Sequence, residues 1–337
     1  MFHTYRLFVV FLTAIGLVLP LPAFSQTGIL ADFSEGRGPL NHFWQSTGFT
    51  PAELLLSRPQ RQQMTFAGAV PHHGITHVRI HYLLELVEGE GFGTDEAEYD
   101  WSRLDKVLDV LVENDLKPFF ELMGNPNGYF DNYEAPVQMH AWKDLVQALA
   151  EHLMERYGRE EILTWYFETW NEPNISFWKQ SHEDFICYYD ACSEGLKAAD
   201  PEITFGGPGT AGWGSDTFKD LLRHCESGTN RITGETGSRI DYISFHEKGG
   251  HAKHGQKPNP ILIQDHETSA IEYIRENHPD LAEVPVMNNE CDPVVGWGRI
   301  ADWRAWPYYP AIIAKIINQH QRGLIENMHA PFTLLSN

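Results

Sequence analysis

Two stretches of this chain place a glutamate where an apolar strand stops. In Thr164-Trp165-Tyr166-Phe167-Glu168-Thr169-Trp170-Asn171-Glu172-Pro173-Asn174 an aromatic-rich run flanked by threonines reads as a buried strand, and Asn-Glu-Pro-Asn ends it. Val284-Pro285-Val286-Met287-Asn288-Asn289-Glu290-Cys291-Asp292-Pro293 repeats the grammar: a short apolar strand, a carboxylate, a proline stop. Paired carboxyl groups are what cleavage of a glycosidic bond uses. One protonates the leaving oxygen, and the other attacks the anomeric carbon or activates water. Glu172 and Glu290 are therefore the candidate catalytic pair. Trp170 and Pro173 surround Glu172 with apolar groups, an environment expected to raise its pKa and hold a proton for the leaving group, while Glu290 is expected to stay ionised as the nucleophile. Trp165 and Trp170 are expected to wall the cleft, with the amide of Asn171 beside Glu172. A carboxyl separation of about 5 Å would mean retention of anomeric configuration, and about 9 Å inversion.

Other polar residues stand where such a cleft needs them. Arg79, inside the strand-like His77-Val78-Arg79-Ile80-His81, is a cation in an apolar run and calls for a carboxylate partner. Glu290 fits that part, and a purely structural place in the barrel floor fits it equally. His246-Glu247-Lys248-Gly249-Gly250-His251 ends another strand. Its two histidines are five apart on a glycine-rich loop, which misses the helical spacing that zinc sites use, so no metal is expected. His246 and Lys248 read instead as hydrogen-bond donors to a polar or anionic substrate, although Lys248 reads equally as an ordinary solvated lysine. After Asp292-Pro293, the backbone amides near Gly296 and Trp297 suit a bound carboxylate, and Trp297 suits a core plug just as well.

These residues need a scaffold that brings strand ends together. Eight strand-like runs occur in order, over 43–46, 77–81, 117–123, 164–170, 203–206, 240–246, 284–289 and 332–336. Helical patterns lie between them over 101–114, 141–157, 183–199, 215–225, 268–277 and 308–321. Strict alternation with eight strands predicts an α/β fold, a (β/α)8 TIM barrel, whose chemistry sits at the C-terminal ends of the strands. A doubly wound open sheet is the minor alternative, and no glycine-rich phosphate loop follows any strand.

Residues 1–25 read as a secretory signal peptide: Arg6 precedes an uncharged run from Leu7 to Leu19, bounded by Pro20 and Pro22, with Ala23 and Ser25 suited to cleavage before Gln26. Residues 26–337 read as a single domain without a linker, with hydrophobic residues at 42% supplying an ample core. The expected destination is the secretory pathway, whether periplasm, lysosome or medium, with no membrane association once the leader is removed. A formal net charge of −21 with no basic patch argues against nucleic acid as a partner. The four cysteines, Cys187, Cys192, Cys225 and Cys291, are expected to be buried free thiols, because Cys187 and Cys192 point apart on one helix. Oligomeric state is not written in the sequence.

Longer stretches resemble glycoside hydrolase family 39. They include Gly68-Ala69-Val70-Pro71-His72, Leu83-Leu84-Glu85-Leu86, Phe120-Glu121-Leu122-Met123-Gly124, Phe167 to Pro173, Tyr188 to Leu196, Leu221 to Cys225, Asp241 to Ser244 and Asp292 to Trp297. Asn-Glu-Pro alone marks a broad clan of barrel hydrolases, whereas the run around Cys192 resembles the branch that cleaves α-L-iduronides rather than the β-xylosidases. The resemblance implies Glu172 as acid/base and Glu290 as nucleophile. It implies His81, Asn171 and Lys248 as sugar contacts, His246 beside the nucleophile, and Gly296 and Trp297 as backbone donors to the uronate carboxylate. Asn174 departs from the family's aspartate, and Cys291 from a small apolar residue. The chain stops at Leu334-Leu335-Ser336-Asn337, at the tip of strand eight, where the family continues with an aspartate, an arginine and a β-rich part, so it is read as a fragment with the barrel truncated there. The implied function is a retaining exo-glycosidase without metal or cofactor that releases terminal α-L-iduronic acid from a glycosaminoglycan-type oligosaccharide or polysaccharide. A β-xylosidase is the sister reading, and a catalytically inactive carbohydrate-binding barrel is the reading from another class.

Overall fold

The structure, a computed structural model, describes Ser34 and residues 41–49, 51–251, 257–296 and 301–336. The chain divides into Met1–Asn41 and His42–Asn337. Every element below belongs to the second unit, and the leader expected over residues 1–25 lies outside the described residues.

The strands are β1 (Ser46–Phe49), β2 (His77–Ile80), β3 (Glu88–Glu90), β4 (Glu98–Asp100), β5 (Lys117–Glu121), β6 (Tyr166–Glu168), β7 (Thr204–Ala211), β8 (Tyr242–His246), β9 (Val286–Asn288) and β10 (Phe332–Leu335). Eight of them form one sheet in the order β1-β2-β5-β6-β7-β8-β9-β10, parallel at every step, while β3 and β4 pair as a separate antiparallel hairpin. The sheet closes on itself. Ser46 bridges Ser336, and the Leu335 amide donates to the Phe43 carbonyl at 2.7 Å. Sequential order and closure exclude the open doubly wound sheet and define a (β/α)8 barrel.

Parallel neighbours need crossover segments, and these are α1 (Arg58–Gly68), α2 (Ser102–Val112), α3 (Pro136–Tyr157), the one-turn α4 (Arg159–Ile162), α5 (His182–Ala199), α6 (Asp216–Ser227), α7 (Pro260–Asn277) and α8 (Tyr308–Gln319), the last continuing as a π-helical segment over His320–Asn327. Their inner faces carry the apolar stripe: α2 buries Leu104, Val107, Leu108, Val110 and Leu111 against the sheet. Inside the barrel Phe119 of β5 and Tyr242, Met287 and Leu334 of β8, β9 and β10 pack together in the lumen, so the mouth has a solid floor. Ser181 and Asp184 cap α5 reciprocally, and Ser215 caps α6.

Several boundaries differ from the sequence expectation. The first strand begins at Ser46 rather than Phe43, although the Phe43 carbonyl already accepts from Leu335 and its ring packs on Phe332 at 5.8 Å. Thr164 and Trp165 belong to the turn after α4, bonded to Glu161 and Ile162 carbonyls, so that strand shrinks to Tyr166–Glu168. The fifth barrel strand instead runs on to Ala211. Helix α1 went unread, since Met64 is the one residue it buries and its sequence shows no apolar period. Helices α3 and α7 start at Pro136 and Pro260, where proline at the first position begins the helix ahead of its apolar pattern. All four cysteines are buried, and none is in a disulfide. Among the described residues no helix is long and apolar enough to cross a membrane.

Candidate active site

Strand ends converge on one cluster. Glu290 follows β9 by two residues and Glu172 follows β6 by four. With His246 they bring one ligand-type atom each to within 4.8 Å of one another. The Glu172 backbone is left-handed, with φ 45, and its amide donates to the Gly209 carbonyl at 2.8 Å. A glutamate in that region stores strain of roughly 1–3 kcal/mol, held here by the docking of its loop on β7. Asn174 completes the docking. Its side-chain nitrogen donates to Ala211 O at 3.1 Å and its oxygen accepts from Ala211 N at 2.8 Å, a double bond that an aspartate, which only accepts, does not make.

Arg79 is the hub beneath the pair and is 1% exposed. It donates to Glu290 at 2.9 Å, to Glu168 at 2.8 Å and to the Asn171 side-chain oxygen at 3.2 Å, and it lies 2.7 Å from Glu121. A guanidinium with several fixed donors suits this place, since one cation holds carboxylates arriving on three strands. Glu121 also accepts from His81 Nδ1, which leaves His81 Nε2 3.5 Å from Glu290. Lys248 Nζ sits 2.5 Å from Glu290, 3.8 Å from Glu172 and 3.8 Å from Asp292. His246 Nδ1 lies 2.9 Å from Glu172 and 3.6 Å from Glu290.

This arrangement sets the protonation states. Burial pushes the Glu290 carboxyl up, but His246, His81, Lys248 and Arg79 together bring it well below the usual carboxylate range. That agrees with the expectation of an ionised nucleophile candidate. Burial also raises Glu172, yet the hydrogen bond and charge of His246, followed by Lys248, outweigh it and leave Glu172 below its ordinary value. The expected upward shift is therefore overturned: specific cations reach Glu172 across the mouth, which its sequence neighbours do not reveal. Burial lowers and Glu121 raises His81, whose pKa ends at about 9. Lys248 is lowered by burial and raised further by Glu290, Asp292 and Glu172, and ends above its ordinary value.

The cleft beside the pair measures about 430 Å³ and is lined by Gly48, Phe49, Gln63, Arg79, His81, Glu290, Asp292 and Tyr309 among others. Neither tryptophan expected to wall it does so. Trp165 is fully buried outside the sheet against Tyr157 and Phe167, and Trp170 packs on Trp178 with its indole nitrogen donating to Phe177 O. Trp165 lies in the turn before β6 and Trp170 beyond its end, so strand alternation aims neither ring, and each is held by a local partner, Trp165 by the Glu161 carboxylate and Trp170 by the Phe177 carbonyl. Gly296, with φ 121, lies on the loop that follows Glu290, and its carbonyl accepts from Arg304 at 3.3 Å. Trp297 lies outside the described residues.

Glu121 and Glu168 were the functional neighbours missed by reading motifs. The signal was present: Phe119-Phe120-Glu121 and Tyr166-Phe167-Glu168 each end an aromatic strand in glutamate, and the two glutamates pair in register. A buried arginine on the adjoining strand needs such partners.

Among the described residues, two groups have the spacing of metal ligands, Glu172–His246–Glu290 and Glu267–Cys291–His320. In the first, Lys248 and Arg79 already neutralise the carboxylate oxygens, so a dication would meet two cations. In the second, burial and nearby carboxylates hold the Cys291 thiol well above its ordinary pKa, which disfavours the thiolate that a metal needs.

Two carboxylates over the C-terminal mouth of an eight-stranded barrel, with cations arranged around them, make the architecture that of a barrel glycoside hydrolase. Comparison with known proteins gives the family: residues 29–335 match glycosyl hydrolases family 39, and the chain belongs to that family. It is 42% identical to α-L-iduronidase of Homo sapiens over 340 residues, covering 94% of this chain and 50% of that protein. It is 29% identical to a β-xylosidase of Caldicellulosiruptor saccharolyticus over 236 residues, covering 65% of this chain and 46% of the xylosidase. A solved bacterial orthologue of human α-L-iduronidase superimposes with a TM-score of 0.85 at 46% identity, covering 89% of this chain and 49% of that structure. The chain spans about half the length of the curated relatives it matches.

Proposed function

We propose that this chain carries the catalytic barrel of a retaining exo-glycosidase that releases terminal α-L-iduronic acid from glycosaminoglycan-type chains. Residues 26–337 form that barrel once a secretory leader is removed. The observation that carries the mechanism is the spacing of Glu172 and Glu290, within 4.8 Å through their nearest oxygens, which suits direct attack at about 5 Å and falls short of the roughly 6.5–9.5 Å over which a water and the sugar fit between the carboxyl groups. Glu290 attacks the anomeric carbon as Glu172 protonates the leaving oxygen, giving a glycosyl ester on Glu290. Glu172 then takes a proton from water, the oxygen attacks the same carbon, and the Glu290 carboxylate departs.

The electrostatics support both halves. The Glu290 charge is one of the influences that raise Glu172, so forming the ester removes that push, lowers Glu172 and leaves it ionised, the form that must take the proton in the second step. Asn171 has its oxygen held by Arg79, which orients the opposite end of its amide for the 2-hydroxyl, a bond that strengthens as oxocarbenium character develops. His81 and Lys248 serve as further sugar contacts, with Gly296 and Trp297 completing the uronate subsite.

The test is initial hydrolysis of an α-L-iduronide and a β-D-xyloside side by side across acid pH, for the wild type and Glu290→Gln. Preference for the iduronide, with a loss on the order of 10⁴-fold or more in the variant at unchanged circular dichroism, is the expected result. Preference for the xyloside would move the substrate assignment. Near-normal turnover by Glu290→Gln would remove the nucleophile assignment, and tight oligosaccharide binding without cleavage by a folded wild type would leave a binding barrel.

A further inference from the structure

The segment His246-Glu247-Lys248 carries the two side chains that reach the catalytic pair from β8, and its middle residue is gripped from behind. Past the last backbone rung between β8 and β9, Phe245 opposite Asn288, the ladder continues through a side chain. Asn288 Oδ1 accepts from the Glu247 amide at 3.2 Å, and Asn288 Nδ2 donates to the Glu247 carbonyl at 2.9 Å. A primary amide presents a donor and an acceptor side by side, so it imitates a strand exactly where the real strand stops supplying a partner.

Asn288 is held in turn. Its Nδ2 also donates to Glu267 on α7 at 2.7 Å, and the Glu267 carboxylate faces His320 Nε2 at 2.8 Å. His320 opens the π-helical segment, its Nδ1 stands 2.8 Å from the Ile316 carbonyl, and its ring lies against Phe43 and Phe332. None of Asn288, Glu267 and His320 is more than 1% exposed. Interrupted helical winding of this kind recurs near functional sites. Gly323 allows the segment to close on α7, since a Cβ there would lie 1.9 Å from Gln264 Nε2.

We propose that Asn288, Glu267 and His320 form a buried clasp whose task is to position His246 and Lys248 against the two carboxylates, making them positioning residues for the reaction. The inference rests on the two-carboxylate reading above. A conserved volume without the hydrogen bonds would keep the core and release the segment. A fixed amide is needed because His246 and Lys248 approach opposite members of the pair, so a displacement of Glu247 on the order of 1 Å misplaces both and costs about 100-fold in rate.

The test compares the full chain with Asn288→Ala, Glu267→Gln and the control Ile271→Ala, a core truncation on the same helix that removes none of the clasp's hydrogen bonds. Thermal stability, kcat and KM on the iduronide, and the imidazole resonances of ¹⁵N-labelled His246, assigned by their loss in His246→Gln, are recorded for each. The expected result is that both clasp variants move the His246 resonances and lower kcat about 100-fold with a smaller change in KM, whereas Ile271→Ala loses stability alone. Glu267→Gln keeps the shape of the site and carries the test should Asn288→Ala not fold. Clasp variants that lose stability but leave the His246 resonances and kcat in place would overturn the proposal. If the wild type cleaves no iduronide, displaced His246 resonances in the clasp variants would still support the clasp while the proposed function fails.

Discussion

At the scale of single residues, the site is governed by which cation stands over which oxygen. Glu172 and Glu290 are both partly buried carboxyls in one acidic molecule, and burial alone would make both poor acids in the dissociation sense. Their difference comes from neighbours: Glu290 is reached by His81, Lys248 and Arg79 as well as His246, whereas Glu172 depends chiefly on His246. Under the proposed double displacement, the acid limb of activity is expected to follow ionisation of Glu290 and the alkaline limb loss of the Glu172 proton, with the optimum at acid pH. Replacing His246 by alanine removes the main influence lowering Glu172, so the alkaline limb of kcat/KM should move to higher pH. A pH–rate profile checks this, and a limb that stayed put or moved to lower pH would assign it to another group.

At the scale of elements, strand ends deliver chemistry because close backbone contact between strands fixes them. Gly206 on β7 pairs with Glu168 on one side and Tyr242 on the other. A methyl group at Gly206 would lie 2.3 Å from the Tyr242 carbonyl oxygen and 2.7 Å from its ring. Neither the backbone oxygen nor the ring, whose hydroxyl is bonded to Phe167 O, can give way cheaply. Gly206→Ala should therefore destabilise the barrel by about 1–3 kcal/mol through overpacking, measured by denaturant unfolding. Unchanged stability would mean that β7 and β8 separate more easily than their contacts indicate.

For the whole molecule, two buried histidines pull stability in opposite directions with pH. His77, beneath the barrel, is lowered to about 4, chiefly by burial, so folding is penalised wherever the unfolded chain binds a proton that the folded chain refuses, between about 6.5 and 4. His81 is lowered by burial but raised more by Glu121, to about 9, so its stabilisation is complete below 6.5 and is lost as pH rises through 9. Each window is worth about 3 kcal/mol. Glu290 and Glu172, both depressed, add stability above the ordinary value of 4.5 that disappears as pH falls through their folded values. Unfolding temperature should thus peak near pH 6.5, and His81→Gln should flatten its alkaline side. A wild-type stability that kept rising from pH 6.5 to 9 would contradict the charged His81.

The alternation of apolar runs and helical periods determined the barrel, because eight strands separated by crossover helices close in few other ways. The two glutamates were legible for a related reason: proline and asparagine stop both strands at the rim. Arg79 announced that carboxylates must surround it, though not that Glu121 and Glu168 would join Glu290. What tertiary structure alone decided is everything that depends on distance across the mouth. The direction of the Glu172 shift and the amide grip of Asn288 on Glu247 both arise between residues far apart in sequence. Local pattern sets where a chain turns and which face it buries, whereas electrostatic and hydrogen-bond energies fall off over a few ångströms and answer only to where the fold finally places each atom.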